Sequence, residues 1–471
     1  MWQWTAADQA AAVRSGRVSA VDLVERHLER IAEVNPQVNA VTQVLAEQAA
    51  ADARALDRRR SAGEDVGPLA GVPFTVKESI GIRGVPTTHG AVRLKDFVAT
   101  EDAPPVARLR AAGAIPIGHA NMPTLTLAGM HTRSELFGDT VNPWDAGVTP
   151  GGSSGGDGVA VATGMAALGL GNDSGGSVRV PASFCGIAGL KPTYGRFAAD
   201  HRLRAEDEPA LGAQLFVVDG PLARTVGDLR AAFEVLAGAS PRDPRAVPAP
   251  LRGEPVPRRV AVVADPGGRG VHPTVRTGVE RAAGALSDAG YEVVEVPDVP
   301  MLDEALSAYG RLLMTEFAPA WPVVRTLLGE GGHRYIEMSM AKAEPVDVVE
   351  YLRLTGVVLA VKRAWAEFLD RWPLLLGPVF TEPPVEPGIE SRDAAGHDLV
   401  GTAMRLCTAT SFAGLPAVAV PTGLVDGLPT GVQLIGRAYR EDVCLDAASA
   451  VERRFGVLTP MSTPAGTRPL R

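Results

Sequence analysis

The chain has 471 residues, of which 46% are hydrophobic and 21% are charged, a balance typical of a globular protein with a sizeable core. Its net charge of −8 argues against a nucleic-acid-binding surface, because such surfaces are basic. The three cysteines, Cys185, Cys407 and Cys444, are too widely spaced for a disulfide framework or a zinc site, and the eight histidines are scattered, so we expect neither a metal nor a cofactor.

The N-terminal part of the chain, about residues 1–65, is predicted to be helical. It has no basic stretch leading into an apolar segment, and no apolar run further on reaches about 18 residues, so we expect a cytoplasmic protein without a membrane partner. Ser19 and Asp22 fit a helix-capping pattern, and apolar residues recur at helical spacing up to Asn35–Pro36, where the helix is predicted to end. A second helix is predicted over about 44–60.

Beyond residue 65, short apolar runs alternate with helical patterns. The predicted helices cover 103–112, 158–165, 275–289 and 442–455. The predicted strands cover 72–76, 114–117, 167–170, 259–263, 292–296, 374–376, 417–420 and 431–435. Strands interleaved with helices predict an α/β fold, with a large mixed, mainly parallel β-sheet covered by helices on both faces.

The segment 300–372 is predicted to be mostly helical, with a break at 329–332, and to form a cap over one edge of the sheet. Because no repeat or composition change marks a second unit, we expect a single domain over 1–471. It would comprise N-terminal helices to about 65, a catalytic core over about 66–240, the cap-like segment and a C-terminal core segment over about 373–471. A homodimer is one option for its oligomeric state.

Two glycine-rich loops and one lysine are the candidate catalytic elements. Ser153 and Ser154 lie in the first loop, and Ser177 lies in the second. Glycine lets backbone N–H groups approach a substrate, although each loop alone is also explained as a tight turn or a capped helix N-terminus. Lys77 follows an apolar strand, where burial would lower its pKa and let the neutral amine act as a base; the alternative is an ordinary solvated lysine.

These motifs, considered jointly, resemble the amidase signature family. The matching segments are Gly71–Glu78, Asn121–Pro123, Asn142–Trp144, Gly151–Gly156, Asp173–Pro181, Phe184–Thr193, Ala413–Pro416 and Gly427–Gly436. The resemblance spans nearly the whole chain and is weakest over about 241–393.

The resemblance implies hydrolysis of a linear carbon–nitrogen bond in a carboxylic amide through a seryl acyl-enzyme. Ser177 would be the nucleophile, Ser153 the bridging serine that relays the proton, and Lys77 the base. In the family the bridging serine follows a cis peptide bond, which here would join Gly152 to Ser153.

Other residues receive roles from the same resemblance. The predicted oxyanion-hole and substrate-binding residues are Ser174, Gly175, Gly176, Thr126 and Leu127, and the predicted supporting residues are Ser154, Asp173 and Arg179. Cys185 is expected to be inert packing. Mild departures from the family pattern occur where Glu78–Ser79 stands for Asp–Asn, Ser174 for Thr, and Asp157 for the serine of many members.

The resemblance does not identify the amide. In the glutamine-hydrolysing component of the tRNA-dependent amidotransferase, which belongs to the same family, an acidic residue shortly before the Ala–Gly–Leu–Pro motif holds the substrate ammonium. An ungapped count places Met404 there, and methionine offers no charge. We therefore expect a small aliphatic or aryl amide as the partner molecule, with glutamine, a hydrazide, an ester or an indolic amide as alternatives.

A second enzyme class fits one of the motifs. Gly151–Gly155 satisfies the Gly-x-Ser-x-Gly pattern, and His397 with an acid would complete the Ser/His/Asp triad of an α/β-hydrolase-type esterase. That pattern should follow an apolar strand, whereas Asn142–Pro150 precedes it here, so we disfavour this alternative. The presence of all three predicted catalytic residues argues against a non-catalytic binding protein.

Overall fold

A mixed sheet of eleven strands forms the centre of the structure, a computed structural model that describes residues 1–203 and 207–458. The strands of the described chain are β1 Val41–Val44, β2 Pro73–Lys77, β3 Ile115–Ala120, β4 Arg133–Ser134, β5 Gly138–Asp139, β6 Leu168–Asp173, β7 Ala188–Lys191, β8 Val218–Ala223, β9 Arg259–Val262, β10 Glu292–Glu295, β11 Leu374–Pro378, β12 Ala417–Val425 and β13 Leu428–Gly436. Strands β4 and β5 pair separately, and the others follow the order β1-β3-β2-β6-β8-β7-β12-β13-β11-β9-β10.

The sheet joins two parallel groups through an antiparallel centre. Strand β2 pairs in parallel with β3 and β6, and β9 pairs in parallel with β10 and β11. Strands β8, β7, β12 and β13 connect these groups by antiparallel pairing. The α/β fold class predicted from the sequence, a large mixed sheet with helices, is confirmed.

Sixteen α-helices accompany the sheet in the described part of the chain. They are α1 Ala6–Arg14, α2 Ala20–Val38, α3 Ala46–Ser61, α4 Pro104–Ala111, α5 Gly155–Ala162, α6 Arg179–Cys185, α7 Leu211–Phe216, α8 Val226–Leu236, α9 Pro273–Asp288, α10 Leu302–Phe317, α11 Trp321–Val324, α12 Glu330–Lys342, α13 Val348–Arg371, α14 Ala394–Ala403, α15 Arg405–Ala413 and α16 Glu441–Phe455. None of these helices combines the length and the apolar character needed to cross a membrane.

Two helix boundaries differ from the predictions. Ser19 caps α2 as expected, but the helix continues through Pro36 to Val38 and ends at Asn39, which adopts a left-handed conformation with φ 47°. A proline this close to the C-terminal end of a helix costs little stability, because few backbone hydrogen bonds of the helix lie beyond it. The break predicted at 329–332 is present but lies earlier, because Leu328 and Gly329 are non-helical and α12 begins at Glu330. Gly332 is buried, so tertiary packing outweighs its low helix propensity.

Helices α10, α13 and α15 form an apolar layer beside the second parallel group of strands. Trp365 of α13 and Phe412 of α15 are fully buried there, with Leu312 of α10 in the same cluster. Helices α10, α11, α12 and α13 lie within 300–372, the segment predicted to be mostly helical, and its predicted role as a cap stays a prediction. This packing brings α10 to the carboxyl end of β6, where the candidate site lies.

Candidate active site

The topology of the sheet brings Lys77 and the two glycine-rich loops together. Lys77 is the last residue of β2, Asp173 is the last residue of β6, and the two strands are parallel neighbours. The first glycine loop, residues 151–154, leads into α5, and the nucleophile loop, residues 174–178, leads from β6 into α6. All of these elements meet beyond the carboxyl ends of β2 and β6, the edge where α/β sheets commonly bind ligands.

Lys77 contacts the first glycine loop directly. Its Nζ lies 2.6 Å from Ser153 Oγ, and the peptide bond between Gly152 and Ser153 is cis. A second contact of 2.6 Å joins Nζ to Asn172 Oδ1 on β6. The lysine is fully buried, so the sequence alternative of a solvated lysine at a strand end is wrong.

Burial changes the acid–base behaviour of Lys77. Removal from water lowers its pKa to about 7, even though the carboxylates of Asp157, Asp173 and Asp219 favour the charged form. Burial also raises the pKa of Asp157 to about 7, and Thr75 donates a hydrogen bond of 2.8 Å to Asp157 Oδ1. Burial therefore shifts the Lys77 amine towards its unprotonated form.

The nucleophile loop is held in place by Asp173. Its Oδ1 accepts the Gly176 N–H at 2.8 Å, and its Oδ2 accepts the Val178 N–H at 3.1 Å. Ser177 is partly exposed, and its carbonyl accepts the Ser154 N–H at 3.1 Å, which joins the two loops. Since the Gly176 and Val178 N–H groups already donate to Asp173, the candidate oxyanion donors in this loop are the N–H groups of Ser174, Gly175 and Ser177.

A buried ion pair anchors this loop to the rest of the protein. Arg179 Nη2 lies 2.9 Å from Asp173 Oδ1, and both side chains are fully buried. Arg179 also donates to Gln433 Oε1 at 2.7 Å and to Ser411 Oγ at 2.9 Å. Although burial raises the pKa of Asp173, the charge and hydrogen bonds of Arg179 hold it below its usual value, so the carboxylate stays ionised.

Tyr309, to which sequence reasoning assigned no role, reaches the site from α10. Its Oη lies 3.0 Å from Ser174 Oγ, and burial raises its pKa to about 12, so the phenol stays protonated. Its ring lies 5.3 Å from that of Phe216, which stacks at 5.1 Å on Phe412. We call Tyr309, Phe216 and Phe412 the aromatic wall.

Asn172 and Ser79 also belong to the site, although no role was predicted for either. Asn172 directly precedes one of the family motifs, and Ser79 stands out in the sequence only as a departure from the family pattern. Asn172 Nδ2 donates to Ser79 Oγ at 2.9 Å. A polar residue two positions beyond the lysine was the only sequence signal for this contact.

The remaining predicted residues occupy different positions around the loops. Ser154 Oγ, in the first glycine loop, lies 3.3 Å from the carbonyl oxygen of Asn172 on β6, and its predicted supporting role stays a prediction. Thr126 and Leu127 lie on a short turn, the first exposed and the second partly buried, and their predicted substrate contact stays a prediction. Cys185 is buried, which raises the pKa of its thiol and keeps it unreactive.

His397 lies in a different environment from the one that the Ser/His/Asp alternative requires. Its Nε2 is 2.9 Å from Ser339 Oγ, and its ring packs 5.1 Å from that of Tyr335. The lysine amine occupies the position beside Ser153. We expect His397→Ala to leave kcat/KM within about twofold of the parent value, measured by ammonia release; a loss of a hundredfold or more would restore the histidine-based alternative.

Comparison with known proteins gives consistent similarities along nearly the whole chain. The family model described as Amidase matches residues 22–445. An indoleacetamide hydrolase of Bradyrhizobium diazoefficiens is 41% identical, with 97% of this chain and 88% of that protein aligned. The A-type component of the glutamyl-tRNA(Gln) amidotransferase of Symbiobacterium thermophilum is 37% identical, with 93% and 94% aligned. The crystal structure of a bacterial aryl acylamidase of the amidase signature family has a TM-score of 0.85 at 28% identity, covering 99% of both chains.

Proposed function

Because this chain belongs to the amidase signature family and hydrolyses carboxylic amides, we propose that its substrate is an arylacetamide, a primary amide whose acyl part carries an aromatic ring. We further propose that Ser177 is the nucleophile, Ser153 the proton relay and Lys77 the base. The observation that carries these catalytic assignments is the 2.6 Å contact between the buried Lys77 amine and Ser153 Oγ.

The proposed reaction moves one proton along this chain of groups. The neutral amine of Lys77 takes a proton from Ser153 as Ser153 takes one from Ser177, whose oxygen attacks the amide carbonyl. N–H groups of the nucleophile loop stabilise the oxyanion that forms. The proton then returns through Ser153 to the leaving nitrogen, ammonia departs, and water hydrolyses the acyl-enzyme to the free acid.

The surroundings of the nucleophile loop support an aromatic acyl group. Of the aromatic wall, Tyr309 stands beside Ser174, and Phe216 and Phe412 are buried behind it. A Cβ placed on Gly176 would lie 3.3 Å from Met404 Cε. Aromatic rings pack favourably against both aromatic side chains and methionine sulfur. Glutamine is the less favoured substrate, because Met404 provides no charge for its ammonium group. The relative named for its action on indoleacetamide supports the same substrate class.

An ammonia-release screen tests the proposal, with Ser177→Ala as the blank. The panel contains indole-3-acetamide, phenylacetamide, acetamide and glutamine. Acetanilide is added because its ring lies on the amine side, and its hydrolysis is followed by release of aniline. We expect kcat/KM for the two arylacetamides to exceed that for acetamide by about tenfold or more, since burying a ring contributes roughly 1.5–3 kcal/mol. Faster release from glutamine or from acetanilide would contradict the proposed substrate class.

We also propose a cytoplasmic location for the protein. Its three cysteines are free and buried, which supports this location because secreted proteins more often carry disulfides. The homodimer considered from the sequence also stays a prediction.

A further inference from the structure

We propose that Asn172 is a positioning residue for the base Lys77, and that Ser79 fixes the orientation of the Asn172 amide. This inference rests on the proposed function in assigning Lys77 as the base. It concerns how the amine is held, whichever amide is hydrolysed.

The two ends of the Asn172 amide have different partners. Its Oδ1 lies 2.6 Å from Lys77 Nζ, and its Nδ2 donates to Ser79 Oγ at 2.9 Å. The N–H groups of Lys77 need an acceptor, which places Oδ1 of the amide towards the lysine. The Ser79 hydroxyl can donate or accept, so it accepts from Nδ2 and holds that end of the amide in place. Asn172 is 9% exposed, which leaves little room for the side chain to turn.

This geometry suits a neutral amine that must accept a proton. An unprotonated Lys77 has two N–H groups and one lone pair in a tetrahedral arrangement. Donation of one N–H to Asn172 Oδ1 leaves the lone pair available to Ser153 Oγ, which is also 2.6 Å from Nζ. The amide oxygen carries no net charge, so it orients the amine without favouring the ammonium form as a carboxylate would.

Several other charged or titratable groups act on Lys77 and stay constant in the test. They lie on different elements. The carboxylates are Asp157 on α5, Asp173 at the end of β6, Asp219 on β8 and Glu78, which follows Lys77 in the chain, and His89 lies in the loop after β2. A charge introduced at position 172 adds to this set at the shortest distance, because the Asn172 oxygen already contacts Nζ.

The test measures reactivity of Ser177 toward a fluorophosphonate probe, which requires the base but no amide substrate. The rate of labelling is followed from pH 5.5 to 10, with the modified serine identified by mass spectrometry. For Asn172→Asp, we expect the acid limb of the rate profile to move upward by about one pH unit or more, because an adjacent carboxylate favours the protonated amine. For Ser79→Ala, we expect a rate about fivefold lower at the plateau, the effect of one lost hydrogen bond.

Matched variants separate positioning from a general structural effect. Ser79→Thr keeps the hydroxyl and should restore most of the rate lost in Ser79→Ala. Asn35→Asp makes the same chemical change at the C-terminal end of α2, where the Asn35 amide caps backbone groups, and should leave the acid limb in place. Thermal unfolding of each variant checks that it is folded.

The outcomes distinguish this inference from the proposed substrate. An Asn172→Asp profile that coincides with the parent profile, or a Ser79→Ala rate equal to the parent rate, overturns the inference even if arylacetamides are hydrolysed. Normal labelling with the expected shifts, but without arylacetamide hydrolysis, supports the inference and contradicts the substrate. Labelling of the parent protein that does not depend on pH contradicts both the inference and the role of Lys77 as base.

Discussion

Replacing Lys77 by methionine is expected to lower kcat/KM for amide hydrolysis by about 10²–10⁴-fold, the range that a general base contributes. Methionine approximates the length of the lysine side chain and suits its fully buried position, so the change removes the amine without leaving a large cavity. Ser153 would keep its place on the first glycine loop but would have no group to receive its proton. Initial rates of ammonia release measure the effect.

The pH profile adds a signature that a loss of folded protein cannot produce. Because burial lowers the pKa of Lys77 to about 7, the neutral amine increases as the pH rises through that value. The parent rate should therefore increase between about pH 6 and pH 8 and then level off, whereas the residual rate of Lys77→Met should lack this limb. A flat parent profile from pH 6 to 9, with chemistry rate-limiting, would argue against a lysine base.

A second buried lysine provides the control. Lys191 is also fully buried, and burial lowers its pKa to about 7, but its Nζ donates to the carbonyl of Pro192 rather than to a serine. Lys191→Met should retain the pH limb of the parent even if its stability falls. If both lysine variants lost the rise in rate with pH equally, the rise would be caused by buried charge in this region rather than by a base at position 77.

The catalytic residues could be predicted from sequence because they stand in short contiguous motifs. Lys77 follows an apolar run that is recognisable as a strand, and Ser153 and Ser177 lie in two glycine-rich loops that, taken with Lys77, resemble one family. What the sequence could not provide was their proximity. Contact between Lys77 and Ser153 depends on the arrangement of β2, β6 and α5, which is a property of the whole sheet.

Long-range packing also explains what sequence reasoning missed. Strand β8 contains Gly220 and Pro221, which obscure a strand pattern, yet a Cβ on Gly220 would lie 2.2 Å from the Leu190 carbonyl oxygen. Glycine there allows β7 and β8 to approach. Tyr309 lies 135 positions from Ser174 in the chain and in the segment of weakest family resemblance, so only the packing of α10 reveals their contact.

Arg179→Met is expected to lower the free energy of unfolding by about 3–5 kcal/mol, because it leaves the buried Asp173 carboxylate without its counter-charge. Arg179 and Asp173 are both fully buried and joined at 2.9 Å, and the same carboxylate holds the Gly176 N–H. Displacement of the nucleophile loop should also reduce kcat by about 10²-fold, since small errors in geometry are costly in catalysis. Urea unfolding and ammonia release measure the two effects.

A fully buried arginine elsewhere separates these two effects. Arg196 lies 3.4 Å from the buried Glu441 and donates to the carbonyl oxygens of Ala249 and Pro250, so its partners lie outside the nucleophile loop. Arg196→Met should lower stability, but its activity per folded molecule should stay near that of the parent. Equal losses of kcat in both arginine variants would contradict a specific role of Arg179 in holding the loop.

The double variant Asp173→Asn with Arg179→Met then identifies the cause of the instability. If the unpaired carboxylate is responsible, removing its charge should recover at least about 1 kcal/mol relative to Arg179→Met alone, because the two side chains are in direct contact and their effects are not additive. Activity should not recover with stability, since the neutral pair no longer fixes the loop through a charged carboxylate. A double variant less stable than Arg179→Met would instead assign the loss to the hydrogen bonds of Arg179 with Gln433 and Ser411.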